Sequence, residues 1–371
     1  MHTIVHSPGS STMSVTFTVD EPDPLTAVIL DIDFLLHPSW PDLDHLVLRP
    51  AGEAISPRSL TVELPSDLEI TYRFLRRPLP DRAAHTPAPT LDDLRALCAT
   101  GRPDPDVLDR IVNPFGSEVT SSVLTGPDAA DGHPAWNQRG QSSPVTVSRL
   151  RTTSGRSVTL VHASPERITD RITDLVVVLD GDVWVDSLEL PSAVRRWKRP
   201  TTAFALVSTP DRENLADRRF MSASITEDVL PTVGGHLGVG PGSEVTVVGH
   251  SYGGLAAAGL ACDQPDLFSS AIIGSGSFWY RDSHDARDDA GPGDLTSWLR
   301  TAPSTMLSGS RFLLHVGREE GGMIKQSRMF AEAAESSGAE VELSLYPGGH
   351  DYAWYRHALF DALDELKRST G

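Results

Sequence analysis

The spacing of apolar residues changes near position 145 and divides the chain into two kinds of structure. Before it, residues 15–19, 26–31, 46–48, 60–64 and 68–74 are short runs rich in Val, Ile, Leu and Thr, separated by Pro, Gly, Asp and Ser. Such runs predict strands, and a series of them without a helical stretch predicts a small β-sandwich over residues 1–76. Residues 71–76, Thr-Tyr-Arg-Phe-Leu-Arg, have the alternation of a half-buried strand. Residues 77–144 shift to Pro, Gly, Asp and Ala with one helix-like piece at 91–98, which predicts a linker carrying a short helix. Asn113-Pro114-Phe115 and Trp136 either cover a neighbouring site or only tie the domains together.

From Val145 strands and helices alternate. Residues 145–152 and 157–163 read as a hairpin turning at Ser154-Gly155, and 175–179, 202–207, 244–248, 270–273, 311–316 and 341–346 as further strands. Helical patterns occupy 225–233, 255–262, 324–336 and 353–368. That order predicts a mostly parallel sheet covered on both sides by helices over residues 145–371.

One stretch of this second region carries chemistry. Val245-Thr-Val-Val runs into Gly249-His250-Ser251-Tyr252-Gly253 and then into an Ala-rich helix. G-x-S-x-G in a strand, turn, helix context is a nucleophile elbow, in which small residues let strand and helix approach while the serine is forced into strained geometry with its hydroxyl exposed. The pattern predicts an α/β-hydrolase domain with Ser251 as nucleophile of a serine hydrolase or acyltransferase.

A serine hydroxyl needs a base. His350, in Tyr346-Pro-Gly-Gly-His-Asp351 between the last strand and the last helix, is the candidate. An acid must orient the imidazole, and Gly317-Arg-Glu-Glu-Gly-Gly322 offers Glu320, with Glu319 as the alternative. Asp351 ranks behind both, since adjacency in sequence does not turn its side chain toward the ring. The oxyanion hole would take one amide from Tyr252 and a second from Asp182 or Val183, with Gly181 permitting a close approach.

Trp184, Phe278, Trp279, Tyr280 and Trp354 stand on either side of these residues in sequence, as candidate ring-stacking surfaces for an aromatic substrate or as core. Arg212 is a candidate pocket guanidinium. Arg195 and Arg196 belong to the one basic cluster and are candidate anion contacts, or a solvated helix end.

Composition narrows the classes. Asp and Glu total 50 against 32 Lys and Arg, a formal charge of -18, which argues against nucleic acid or an anionic membrane as partner. Cys98 and Cys262 are the two cysteines and are far apart, so no disulfide framework or cysteine zinc site is expected. Asp180 and Asp182 lack a full oxygen-ligand loop, and no metal or cofactor is expected. The glycines of residues 238–242 precede a strand instead of following one and lack the Walker lysine, and so form a turn. Residues 1–13 are polar without the apolar run of a signal peptide, no stretch is long enough to span a bilayer, and a cytoplasmic protein is expected. No feature specifies an oligomeric state.

Taken together these segments resemble the enterochelin esterase family, serine esterases that open trilactone catecholate siderophores. The resemblance rests on Ile70-Thr-Tyr-Arg-Phe74, Val112-Asn-Pro114, Leu179-Asp-Gly-Asp-Val-Trp184, Gly249-His-Ser-Tyr-Gly-Gly254, Ser275-Gly-Ser-Phe-Trp-Tyr280 and Gly348-Gly-His-Asp351. It implies Ser251 as nucleophile, His350 as base, Glu320 at the acidic position, and a catecholate siderophore as substrate. The family's Arg-x-x-Glu-Leu stretch is here Arg212-Glu-Asn-Leu215, one residue shorter. The alternative within the same chemistry is an esterase or acyltransferase for another aryl ester, macrolactone or thioester.

Overall fold

The computed structural model describes residues 1–32, 35, 43–50, 56–78, 91–112, 120–136, 144–163, 172–197, 199–238, 243–282 and 291–369. It divides into two compact units, Met1–Asp131 with Pro347–Trp354, and Gly132–Tyr346 with Tyr355–Gly371.

The N-terminal unit is built from β1 (His2–Val5), β2 (Thr12–Val19), β3 (Thr26–Ile32), β4 (Val47–Pro50), β5 (Arg58–Pro65), β6 (Glu69–Pro78), α1 (Leu91–Ala99), β7 (Arg110–Val112) and β8 (Thr120–Thr125). Its strands form one hydrogen-bonded series in the order β1-β2-β5-β4-β3-β6-β8-β7, antiparallel throughout. Alternate residues point inward: Val15 and Phe17 from β2, Val28, Leu30 and Ile32 from β3, and Ile70, Tyr72 and Phe74 from β6 share one core. The partly apolar period of β6 has a second cause. Arg73 is buried opposite Asp31 and paired with it at 2.6 Å, so a charge on the sheet is neutralised in register.

Residues 77–144 depart from a linker. They supply α1, β7 and β8; β8 pairs with β6, Ile70↔Leu124 in register, and β7 forms the edge beyond it. Thr120-Ser-Ser-Val-Leu-Thr125 is too polar to read as a strand by composition, yet Ser121 to Leu124 are buried. Asn113, Pro114 and Phe115 lie outside the described residues. Trp136 belongs to the second unit, where its indole donates to the Arg356 carbonyl at 2.6 Å.

The second unit contains β9 (Val145–Arg151), β10 (Ser157–Ala163), β11 (Asp174–Val178), α2 (Leu190–Trp197), β12 (Thr202–Val207), α3 (Arg218–Ala223), α4 (Leu230–Leu237), β13 (Glu244–His250), α5 (Tyr252–Asp263), β14 (Ser270–Gly274), α6 (Asp294–Leu299), β15 (Arg311–Gly317), α7 (Gly322–Ser336), β16 (Glu340–Tyr346) and most of α8 (Tyr352–Ser369). The sheet order is β16-β15-β14-β13-β11-β12-β10-β9, with β11 to β16 parallel and the β9–β10 hairpin antiparallel at one edge. From β11 the chain steps to β12 on one side, then crosses to β13 on the other. The loops after β11 and β13 therefore diverge from neighbouring strand ends, the place where open α/β sheets leave a crevice for ligands.

Helix α5 is buried from Gly253 to Cys262. A helix enclosed on every side has no polar face, and its Gly and Ala content lets it lie close to the sheet. Among the described residues, no helix is long and apolar enough to cross a membrane.

Candidate active site

Ser251 joins β13 to α5 with φ 59° and ψ −121°, a backbone conformation that costs a non-glycine residue energy. The turn is over-determined. The Ser251 amide donates to the Gly274 carbonyl at 2.9 Å, and its carbonyl accepts from Leu255 and Ser277, each at 3.0 Å. The flanking glycines are closely packed. A Cβ on Gly249 would lie 2.0 Å from the Gly253 carbonyl oxygen, and one on Gly254 3.0 Å from the Gly276 Cα. The Ser251 Oγ is 3.5 Å from the Ser277 Oγ, so a second, buried hydroxyl stands beside the nucleophile.

The loop after β11 lies against this turn. A Cβ on Gly181 would come within 2.4 Å of the Leu206 carbonyl carbon, so only glycine lets the loop cross β12. Asp180 has φ 54°, and a Cβ on Gly253 would lie 3.0 Å from its Oδ2, next to the start of α5. Arg212 Nη2 is 3.2 Å from the same oxygen. Burial pushes the Asp180 carboxyl up to about 6, opposed by Arg212 and reinforced by Asp182. Val183 donates its amide to the Asp180 carbonyl at 2.9 Å. That turn bond engages the Val183 amide, one of the two weighed for the oxyanion hole. The Asp182 side chain faces away, accepting from the Ser208 hydroxyl.

Of the two glutamates after β15, Glu320 has the built environment. Its carboxylate accepts from the Ser275 hydroxyl and, at 2.7 Å, from the Gly317 amide. Ser275 is itself held at φ 45° with its amide on the His315 carbonyl at 2.7 Å. His350 is half-buried in the stretch Pro347–Trp354, which packs with the N-terminal unit. The Asp351 carboxylate is committed elsewhere, accepting from the amides of Thr71 and Ala353, both at 2.7 Å.

Several ring candidates are core. Trp184 is 0% exposed against Tyr355, Phe278 is 1% exposed and stacked on Phe330 at 4.1 Å, and Trp354 is 1% exposed with its indole on the Gly349 carbonyl. These rings are covered by other side chains. Trp279 and Tyr280 are half-exposed and cluster with the half-exposed Tyr252, at centroid distances of 5.8 and 5.9 Å from its ring. Tyr252, next to Ser251 in the chain, thus joins Trp279 and Tyr280 in a half-exposed aromatic cluster. Arg212 is committed to Asp180, and Arg196 donates to the Ala135 carbonyl at 3.0 Å, whereas Arg195 is exposed.

The sequence reading missed Ser275, Ser277 and the role of Asp180 as a buried ion-pair partner. Both serines lie in the quoted Ser-Gly-Ser-Phe-Trp-Tyr segment, and a serine pair directly after a sheet strand was the available signal. Among the described residues, no group of three or more His, Cys, Asp or Glu side chains is placed to hold a metal.

The sequence model of the putative esterase family matches residues 165–366, more than half of the chain. The chain belongs to this esterase family. The esterase is 28% identical over 324 residues to the iron(III) salmochelin esterase of Escherichia coli O6:H1, covering 83% of this chain and 77% of that protein. It is 29% identical over 273 residues to the iron(III) enterobactin esterase of Dickeya dadantii, covering 67% of this chain and 61% of that one. The crystal structure of the Shigella flexneri enterobactin esterase in the presence of enterobactin superposes with a TM-score of 0.80, covering 100% of this chain and 96% of that one at 19% identity. The ferric enterobactin esterase of Salmonella typhimurium gives 0.79 at 20% identity, covering 98% and 95%. The fold is of the α/β-hydrolase type.

Proposed function

We propose that this esterase hydrolyses the ester bonds of a trilactone catecholate siderophore, ferric or iron-free, with Ser251 as nucleophile, His350 as base and Glu320 as the orienting acid. The observation that carries the substrate reading is the half-exposed cluster of Trp279 and Tyr280 with Tyr252, which directly follows the strained Ser251 in the chain. Catechol rings stack on such surfaces. The similarity to salmochelin and enterobactin esterases supports the same substrate class.

In the reaction, the Ser251 Oγ attacks the ester carbonyl carbon while its proton passes to His350. The resulting oxyanion is held by the amides of Tyr252 and Asp182. Tyr252 opens α5, where the first amides of a helix have no intrahelical acceptor. Collapse breaks the C–O bond, and His350 returns the proton to the leaving seryl alkoxide. Water then attacks the acyl-enzyme, giving up a proton to His350, and releases a carboxylic acid and the free serine. Each round consumes one water and opens one ester, so successive rounds convert the trilactone into linear trimer, dimer and monomer.

We read the N-terminal unit as the β-sandwich, residues 132–371 apart from the histidine stretch as the catalytic domain, and the cytoplasm as the compartment, in line with two free cysteines. The substrate assignment is tested by comparing kcat/KM for an iron-free trilactone and for a simple phenyl ester. Preference for the trilactone by about 100-fold or more is expected from added ring contacts; equal or reversed preference points to another aryl ester.

A further inference from the structure

The pairing of β3 with β6 runs to Ile32↔Tyr72, while β8 continues along the other side as far as Glu69↔Thr125. The edge of β6 at residues 69–71 therefore needs acceptors from outside the described ladder, because a buried strand amide without one is costly. The histidine stretch supplies them. Glu69 donates its amide to the Pro347 carbonyl at 2.8 Å, and Thr71 donates its amide to Asp351 Oδ2 at 2.7 Å and its hydroxyl to the same oxygen at 3.2 Å. Amides two residues apart on a strand address one edge, so the stretch runs along β6 in place of a further strand.

The residues around His350 are held from the other side as well. A Cβ on Gly348 would meet the Trp354 ring at 2.1 Å and the Glu69 carbonyl oxygen at 2.8 Å. Trp354 donates its indole N–H to the Gly349 carbonyl, also at 2.7 Å. The second oxygen of Asp351 accepts from the Ala353 amide and caps the start of α8. Two glycines directly before a catalytic side chain leave it loosely placed unless their backbone is tied. Here residues 347, 349 and 351 are each hydrogen-bonded and 348 is closely packed, and the residue they bracket is His350.

We infer that the clasp between Thr71 on β6 and Asp351 is the positioning device of the base. Asp351 is a positioning residue, acting on His350 through the backbone. The inference rests on the reading of His350 as base.

The test compares Asp351→Asn, Thr71→Val and the double variant in the full chain, with His350→Ala alongside. Asn caps a helix about as well as Asp, so Asp351→Asn preserves the bond to Ala353 while turning an amide N–H₂ toward the Thr71 donors. We expect kcat to fall about 10- to 100-fold with KM changed less than about 2-fold, as for a displaced catalytic group. Thr71→Val should cost a few-fold, and the double variant should be no worse than Asp351→Asn alone, because both remove one interaction. With His350→Ala inactive, wild-type kcat in Asp351→Asn overturns the clasp, and so does a loss explained wholly by a lower thermal midpoint. An active His350→Ala overturns the assignment of the base and the clasp with it.

Discussion

Ser251, Asp180 and Ser275 share one property: each is a non-glycine residue at positive φ at the end of a parallel strand. Strain of this kind persists only where surrounding bonds enforce it, and it gathers at sites that do chemistry. The first prediction at this scale separates the two glutamates. Glu320→Ala removes the acceptor of the Ser275 hydroxyl and Gly317 amide and should lower kcat by about 100-fold or more. Glu319→Ala should stay within about 3-fold of wild type by the same reasoning. Equal small losses in steady-state kinetics would make the site a Ser-His dyad. The second concerns Asp180. Its carboxyl is raised to about 6 in the fold, above its ordinary value, so the folded state binds the proton more tightly than the unfolded chain. Its contribution is therefore most favourable at low pH and is lost as pH rises through about 6, by roughly 3 kcal/mol in all. Asp180→Asn should flatten the denaturation midpoint between about pH 4 and 6. The strained turn at Ser251 was legible because its motif is local, whereas the Asp180–Arg212 pair spans two loops and no spacing announces it.

At the scale of elements, the strands and helices that surround the nucleophile were legible because burial on both faces of a parallel strand writes a continuous apolar run, as in Val245 to Val248. The loop after β11 was legible only as a motif, and its steric reason emerges from the contact of Gly181 with β12. Gly181→Ala should push that loop off the Leu206 backbone and lower kcat by about 100-fold through loss of an oxyanion donor. The check is steady-state kinetics with circular dichroism to establish that the fold remains. Aromatic residues misled for a physical reason. Trp354 and Trp184 belong to faces that pack inward, and ring identity does not tell a core tryptophan from a binding one. Strand β8 was missed because burial of serines, with Ser122 hydrogen-bonded to the Asp104 amide at 2.9 Å, leaves no hydrophobic signature.

For the whole molecule, the tie between β6 and the histidine stretch was the least legible feature. Asp351 and Thr71 are 280 residues apart in sequence, and no local pattern joins them. Overall charge acts at this scale too. A ferric tris-catecholate is anionic, and a protein of net charge -18 repels it over distances comparable to the Debye length. Raising the ionic strength from about 0.02 to 0.2 M should therefore lower KM for the ferric trilactone while leaving the iron-free, uncharged form nearly unchanged. Identical salt responses for both forms would mean that a local cationic surface dominates the approach.

The central claim is that Ser251 opens siderophore esters one after another. The measurement that tests it most directly is mass-resolved hydrolysis of iron-free and ferric trilactone catecholates by the native protein and by Ser251→Ala. The account predicts linear trimer, then dimer, then monomer with the native protein, and an intact trilactone with the variant. Intact trilactone in both samples, with a simple aryl ester still cleaved in a Ser251-dependent way, would contradict it.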